Sequence, residues 1–216
     1  MSEFVAGITP QLAGRVPPSD WAELVASGVP VHFTDGQILF HQGDAGRYVY
    51  VMRRGAAKVI RSEADGGQAI LTVRSVGDVL GDMAALDKGV RSATVVALGR
   101  VLAQMVTAEH FRAFVSRPSV APAFAMYTVE RLRESGIQRS ELALLPVRVR
   151  LARILLRLVD DAVVRMAQHD LARYAGASRN AVVEELGALR SAGIIDTRRR
   201  MIVVLRMEEL RQVAGL

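Results

Sequence analysis

The stretch Gln168-His169-Asp170-Leu171-Ala172-Arg173-Tyr174-Ala175-Gly176-Ala177-Ser178-Arg179-Asn180-Ala181-Val182-Val183-Glu184-Glu185-Leu186 decides the fold of the last third of this chain. Its pattern predicts a short helix over 168–175. Gly176 then supplies the sharp backbone turn that a residue with a Cβ adopts only at a cost. Ser178 is a good N-cap for a second helix, because its hydroxyl can accept from a free backbone N–H. Ala172, Val182 and Leu186 are placed to pack the two helices together, and the small Ala172 lets them approach. Helix, tight turn and helix make a helix-turn-helix, whose second helix enters the major groove of DNA with its N-terminal residues toward the bases. Arg179, Asn180 and Glu184 then face the base edges, with Arg179 suited to guanine and Asn180 to adenine. Ser178 and the helix N-terminus meet phosphate.

On either side the sequence supports this reading. Downstream, Ile194 to Leu205 reads as a hairpin with Arg198, Arg199 and Arg200 at its tip. Three arginines alone suggest only a solvated turn; beside a helix-turn-helix they make a wing that clamps phosphate. Upstream, Pro146 fits the first turn of a helix over 147–159. From Pro146 onward there are 13 Arg against 8 Asp and Glu, which leaves +5 of the chain's net charge of +6. A basic C-terminal region points to an anionic polymer, here double-stranded DNA.

The first half has a different texture. Between Val31 and Val106, short apolar runs such as 37–40, 48–52, 57–60, 69–73 and 93–97 alternate with glycines at positions 36, 46, 55, 66, 77, 89 and 99. Many short strands at regular spacing predict an all-β barrel or sandwich, with Asp65-Gly66 as a hairpin turn. Thr107 is the expected N-cap of a short helix over 108–115. A longer helix spans about 119–145, too long to be buried on one small barrel. It is either a solvated connector or a dimer helix with contacts at Phe124, Leu132 and Leu142. The dimer helix is preferred, because an isolated polar helix of that length has little to hold it.

Inside the β region lies Gly81-Asp82-Met83-Ala84-Ala85-Leu86-Asp87-Lys88-Gly89-Val90-Arg91-Ser92-Ala93. A glycine, a carboxylate and an Arg-Ser-Ala end could cradle a phosphate. Cysteine is absent, which excludes disulfides, thiolate metal sites and cysteine catalysis. There is no P-loop and no nucleophile–base constellation, and His32, His41, His110 and His169 are scattered singles, so neither an enzyme nor a metal protein is expected. The N-terminus lacks a basic segment followed by an apolar one, and no apolar run reaches membrane-spanning length, so the expectation is a cytoplasmic protein without a membrane partner.

Three motifs in this order resemble the Crp–Fnr family, the cyclic AMP receptor proteins and their relatives. They are Gly81-Asp82 with Arg91-Ser92-Ala93, Gly176-Ala177-Ser178-Arg179 before Val182, and the wing ending Ile202-Val203-Val204; the likeness covers about 21–205. The resemblance implies an α+β fold. Residues 1–117 form a double-stranded β-helix, a jelly roll of the cyclic-nucleotide-binding type. Residues 118–145 form the long dimerisation helix, and 146–216 the winged helix-turn-helix. It implies a homodimer on a near-palindromic operator, with RNA polymerase as a further candidate partner. Gly81, Met83, Ala93 and their neighbours line the phosphate site, where Arg91 pairs with the phosphate and Ser92 adds a hydroxyl. Asp82 stands where nucleotide-binding members usually carry Glu on the ribose. Arg131 matches an arginine that holds that carboxylate. Ser135 and Gly136 match two adjacent hydroxyl residues that meet the base, so one is kept and one is lost. In the recognition helix Asn180 replaces a common Glu, and Glu184 a common second Arg.

No resident cofactor is expected. Either cyclic AMP still binds, weakened by Asp82 and Gly136, or the roll takes another nucleotide such as a cyclic dinucleotide, or none. The second reading is preferred. A cyclic-nucleotide signalling module that binds no DNA is the alternative that the winged helix argues against.

Overall fold

The computed structural model of the chain describes residues 11–216. Most of the N-terminal stretch read for a targeting segment lies outside them. Two compact units meet within one long helix, the first ending at Arg133 and the second running from Glu134 to Leu216.

The first unit is built on an antiparallel sheet of six strands: β1 (Val29–Phe33), β2 (Ile38–Phe40), β3 (Tyr48–Ser62), β4 (Gln68–Arg74), β5 (Val79–Leu80) and β6 (Thr94–Thr107). The order β1-β6-β3-β4 carries β2 on β6 and β5 on β3. Strand β3 feeds two cores at once. Val49 and Val51 join a cluster with Phe111, Phe114 and Tyr127, whereas Tyr50 and Met52 join one with Phe33, Phe40 and Val95. Successive side chains of a strand point to opposite faces, so both faces of β3 are covered.

The runs 48–52 and 57–60, read as separate strands, are one strand. Gly55 is not the turn between them. It lies inside β3 at a shift of register, with φ +81°, and a Cβ there would stand 2.3 Å from the Arg100 carbonyl oxygen. Gly99 likewise lies within β6. A bulge bends a strand without ending its pairing, and a turn signal in the sequence looks the same in either case. Gly66, by contrast, does sit in the turn between β3 and β4, where its N–H donates to the Glu63 carbonyl.

The helices of this unit are α1 (Pro18–Ala26), α2 (Asp82–Leu86) and α3 (Ala108–Val115). Thr107 caps α3 as expected, its hydroxyl accepting from the His110 N–H at 3.2 Å. The long helix α4 (Ala121–Leu144) is about 36 Å long at 1.5 Å per residue. Phe124, expected at a dimer contact, instead packs into the first core, edge-on to Phe111 at 5.9 Å between centroids. Residues three apart on a helix are neighbours, so Phe124 and Tyr127 lie on the same side, against this core. The exposed apolar residues of α4 are Met126, Val129, Leu132, Ile137, Leu142 and Leu144.

The second unit holds α5 (Val147–Leu158), α6 (Gln168–Ala175), α7 (Arg179–Ser191) and α8 (Met207–Val213). A small sheet of β7 (Val163–Val164), β8 (Ile195–Arg198) and β9 (Met201–Val204) completes it in the order β7-β9-β8. The end of α4 is anchored here. Glu141, 7% exposed, accepts from Arg153 at 3.1 Å and from Arg157. Arg150 donates to the carbonyls of Leu142 and Leu145 at 3.0 and 3.1 Å and to that of Gly176 at 3.4 Å. A buried carboxylate is tolerable only with such cationic partners.

Candidate functional site: an anion cradle and a basic cleft

The cradle is set by backbone geometry. Gly81 adopts φ +83° at the N-cap of α2, and a Cβ on it would stand 2.1 Å from Arg91 Nη1. That close approach lets the Arg91 guanidinium lie under the loop, where Nη1 donates to the Gly81 carbonyl at 2.7 Å and Nη2 to the Tyr48 carbonyl. Its Cζ sits 4.3 Å from the centre of the Phe40 ring and 5.1 Å from that of Tyr48. Arg91 is 2% exposed, and burial pushes its guanidinium below its ordinary value. Its Nε has no hydrogen-bond partner, and no carboxylate pairs with it among the described residues. A buried cation bonded to carbonyls and ring faces, with Asp44 and Asp82 acting on it only through space, can take an anion.

The same cavity, about 60 Å³, is lined by Arg74, Arg91 and Arg131 with Asp82 as the single carboxylate. Gly81, Met83, Ser92 and Ala93 also line it. Asp82 is 6% exposed and accepts from Arg131 Nη1 at 2.5 Å. So the arginine of α4 and the acid of α2, placed together on resemblance alone, are in contact. Ser135 is exposed on α4 and does not line the cavity. Gly136 has no atom within 4 Å of where a Cβ would be, so nothing in this chain demands a glycine there.

Arg74 is absent from the sequence reading. It ends β4 in a run, Leu71-Thr72-Val73-Arg74, where an arginine looks like an ordinary solvated strand end; it is 4% exposed. Behind it Asp78 is fully buried, accepting from the Ser75 N–H at 3.0 Å and from the Tyr127 hydroxyl at 3.3 Å. Burial pushes the Asp78 carboxyl up from 3.8, against the pull of the Ser75 N–H and of Arg74. The folded state therefore holds this proton more tightly than the unfolded chain. Its contribution to stability is greatest at low pH and falls as pH rises from about 4 through the raised value. The variant Asp78→Asn, which keeps the acceptor for Tyr127, should lose that decline. Urea denaturation between pH 4 and 7 would show a flatter profile for the variant, and parallel profiles would refute it.

The second constellation lies in the C-terminal unit. Helix α6 ends at Gly176, φ +56°, after which the Ala177 N–H returns to the Ala172 carbonyl at 3.0 Å. Ser178 caps α7, its hydroxyl accepting from the Ala181 N–H at 3.2 Å. Ala172, Val182 and Leu186 are buried between the helices, while Ser178, Arg179, Asn180 and Glu184 are exposed. The wing turns through Arg199 and Arg200, between the paired Arg198 and Met201. Arg200 takes φ +58°, a conformation that costs a residue with a side chain about 1 kcal/mol or more. Arg179, Arg198, Arg199 and Arg200 line one cleft of about 290 Å³ with Gln168 and His169. Four arginines share this one space, and Arg198 also pairs with Asp196 at 3.2 Å.

Comparison with known proteins matches a domain in each half of the chain. Residues 30–117 match the cyclic nucleotide-binding domain, and residues 149–213 match the Crp-like helix-turn-helix domain. The cyclic AMP receptor protein of Thermus thermophilus is 32% identical over 167 residues, covering 76% of this chain and 77% of the relative. The chain belongs to the Crp–Fnr family. It is a DNA-binding transcription regulator with a cyclic nucleotide-binding domain. A CRP-like cAMP-activated global transcriptional regulator of Mycobacterium tuberculosis is 26% identical over 210 residues, 92% of this chain and 94% of the relative. The c-di-GMP responsive global regulator CLP of Xanthomonas campestris shares the fold, with TM-score 0.74, 20% identity and coverage of 87% and 99%. Crp–Fnr proteins are regulators rather than enzymes. Among the described residues no helix is long and apolar enough to cross a membrane, and no group of three His, Cys, Asp or Glu could hold a metal.

Proposed function

We propose that this Crp–Fnr regulator binds a near-palindromic operator as a homodimer, with an anionic nucleotide as effector and a cyclic AMP response that is weakened or lost. The observation that carries the DNA reading is the cleft in which Arg179, at the capped start of α7, faces the wing arginines. Arg179 and Asn180 read base edges, with Glu184 one turn further along, while Ser178, Arg198, Arg199 and Arg200 hold phosphates. In the family's dimer the two recognition helices meet two half-sites one helical turn apart. The exposed stripe Met126, Val129, Leu132 and Ile137 on α4 is the surface that a second copy would cover. The division at 117 and 145 belongs to this reading: roll, dimer helix, DNA-binding head. A promoter-bound dimer of this kind would meet RNA polymerase.

The effector reading rests on the orphaned Nε of buried Arg91 beside Gly81. Gly81, Met83, Arg91, Ser92 and Ala93 would hold a phosphate, and Asp82 the ribose, supported by Arg131. Ligand pockets usually measure about 300–1,000 Å³, so a nucleotide requires the cavity to open. Asp82 is one methylene shorter than the family's Glu and already paired with Arg131. A ribose hydroxyl must share it. Gly136 supplies no hydroxyl to the base, and Ser135 alone remains. Helix α4 carries Arg131 near its middle and Glu141 and Leu142 at its end, where they are tied to α5 and the turn at Gly176. Effector binding at Arg131 would bias the heads through that connecting helix.

Selection of bound sites from random duplex DNA, with and without cyclic AMP, tests the reading: a palindrome recovered in both arms supports it, and no enrichment in either sinks it. The wing is tested separately. Arg199→Ala/Arg200→Ala removes four phosphate contacts from a dimer. The slope of log K against log salt should become shallower by about 3.6, at about 0.9 per contact. An unchanged slope would take the wing off the DNA.

A further inference from the structure

The last turns of α4, from Glu134 on, belong to the same compact unit as the helix-turn-helix. Their covered positions are Glu134, Gln138, Glu141 and, just past the helix end, Leu145. These are spaced three or four apart, so one face of this stretch lies against its own head. Gln138 donates to the Tyr174 hydroxyl of α6 at 3.5 Å. Leu142 reaches the turn between α6 and α7, where a Cβ on Gly176 would stand 2.8 Å from its Cδ2. Glu141 is the ionic centre of the face. Arg153 and Arg157 of α5 both donate to its Oε1, and Arg153 also donates through Nε to the Ala214 carbonyl at 2.9 Å, just beyond α8. Removing a buried carboxylate from such a group leaves two cations facing each other without their counter-charge. Ile137 and Leu144, seven residues apart and so on one side of the helix, are 46% and 76% exposed. The same short stretch therefore gives one face to its head and leaves an apolar one open, where a second copy's helix would lie.

We propose that Glu141 is a positioning residue for operator spacing. By clamping α5 to the end of α4 it fixes each head to the helix through which two copies pair, and so sets the half-site distance and phase that the dimer accepts. This rests on the reading of α4 as the dimer helix. One base pair added between half-sites moves one of them by about 3.4 Å and turns it by about 34° around the duplex. A clamped head cannot follow both changes, whereas a head on a loosened joint can. The test is competition binding of the full chain to three duplexes: the selected palindrome, the palindrome with one central base pair added or removed, and a single half-site. The intact chain should lose about 100-fold on the altered spacings, the avidity of its second head. Glu141→Ala should lose about tenfold or less on them, with single-half-site binding within about threefold of the intact chain. A merely destabilised head would weaken on all three duplexes alike. Glu141→Gln keeps an acceptor oxygen for the arginines and should keep most of the spacing preference. Leu142→Ala removes the neighbouring contact at a half-exposed position, and it should relax spacing even where Glu141→Ala fails to fold. A spacing preference unchanged in every folded alanine variant, or absent from the intact chain, overturns the inference and leaves the dimer reading standing. One copy per palindrome by light scattering overturns both.

Discussion

Replacing Arg179 with alanine should weaken binding to the selected operator by about 30-fold to about 10⁴-fold. A bidentate arginine on guanine is worth about 1–3 kcal/mol of discrimination, and a dimer makes the contact in both half-sites. The loss is expected in sequence preference as much as in affinity. One base pair in each half-site should become tolerant of substitution, while binding to random DNA falls only as the two charges lost from a dimer would make it fall. Asn180→Ala provides the comparison: it should relax the neighbouring position and leave the salt dependence alone. The geometry behind the expectation is local. Ser178 caps α7, so the helix starts with Arg179 exposed. Competition binding against a panel of single-base operator variants would check it. A uniform loss across the panel would mean that Arg179 holds phosphate rather than reading a base.

Replacing Gly46 with alanine should destabilise the roll by about 3 kcal/mol, the size of a severe overpacking defect. For a chain of this length that is a fall in Tm of about 6–12 °C. Gly46 does not need its glycine for a positive φ. It needs it because a Cβ would stand 2.2 Å from the Ala84 carbonyl oxygen and 2.4 Å from its carbon. Those are backbone atoms of α2, and they cannot swing aside as a side chain can. The helix is held in place from two other directions. Arg112 donates to the Ala85 carbonyl at 2.7 Å, and the Gly46 N–H itself donates to the Gly89 carbonyl at 3.2 Å. Displacing α2 moves Asp82 and Met83 with it, so nucleotide binding should fall along with stability. Gly14→Ala is the control, since nothing lies within 4 Å of that position. Equal melting temperatures for the two variants would show that the loop from Gly43 to Gly46 yields without cost.

Gly46 shows where reading the chain in one dimension stops. In sequence it is one of seven regularly spaced glycines, and all seven look like turns. The structure sorts them by cause: Gly66 turns a hairpin, Gly55 bends a strand, and Gly46 admits a helix from forty residues away. The same limit hid Arg74. Whether a strand-end arginine meets water or a cavity depends on what the chain lays over it, here α2 and the end of β5. It also misplaced Phe124, whose side of α4 is fixed by Phe111 and Tyr127 rather than by the helix's own composition.

By itself the sequence determined the helix-turn-helix: the caps at Gly176 and Ser178, the wing with its arginines, and the β texture of the first half. Those features are written in neighbouring residues, because capping, turn conformation and strand alternation act over a few positions. Tertiary structure alone decided which charges share a space. Arg91 lies ten residues from the glycine it touches, Arg131 lies 49 from Asp82, and Arg74 joins them from another strand. Electrostatic energy depends on distance and burial, and neither is a property of position along the chain.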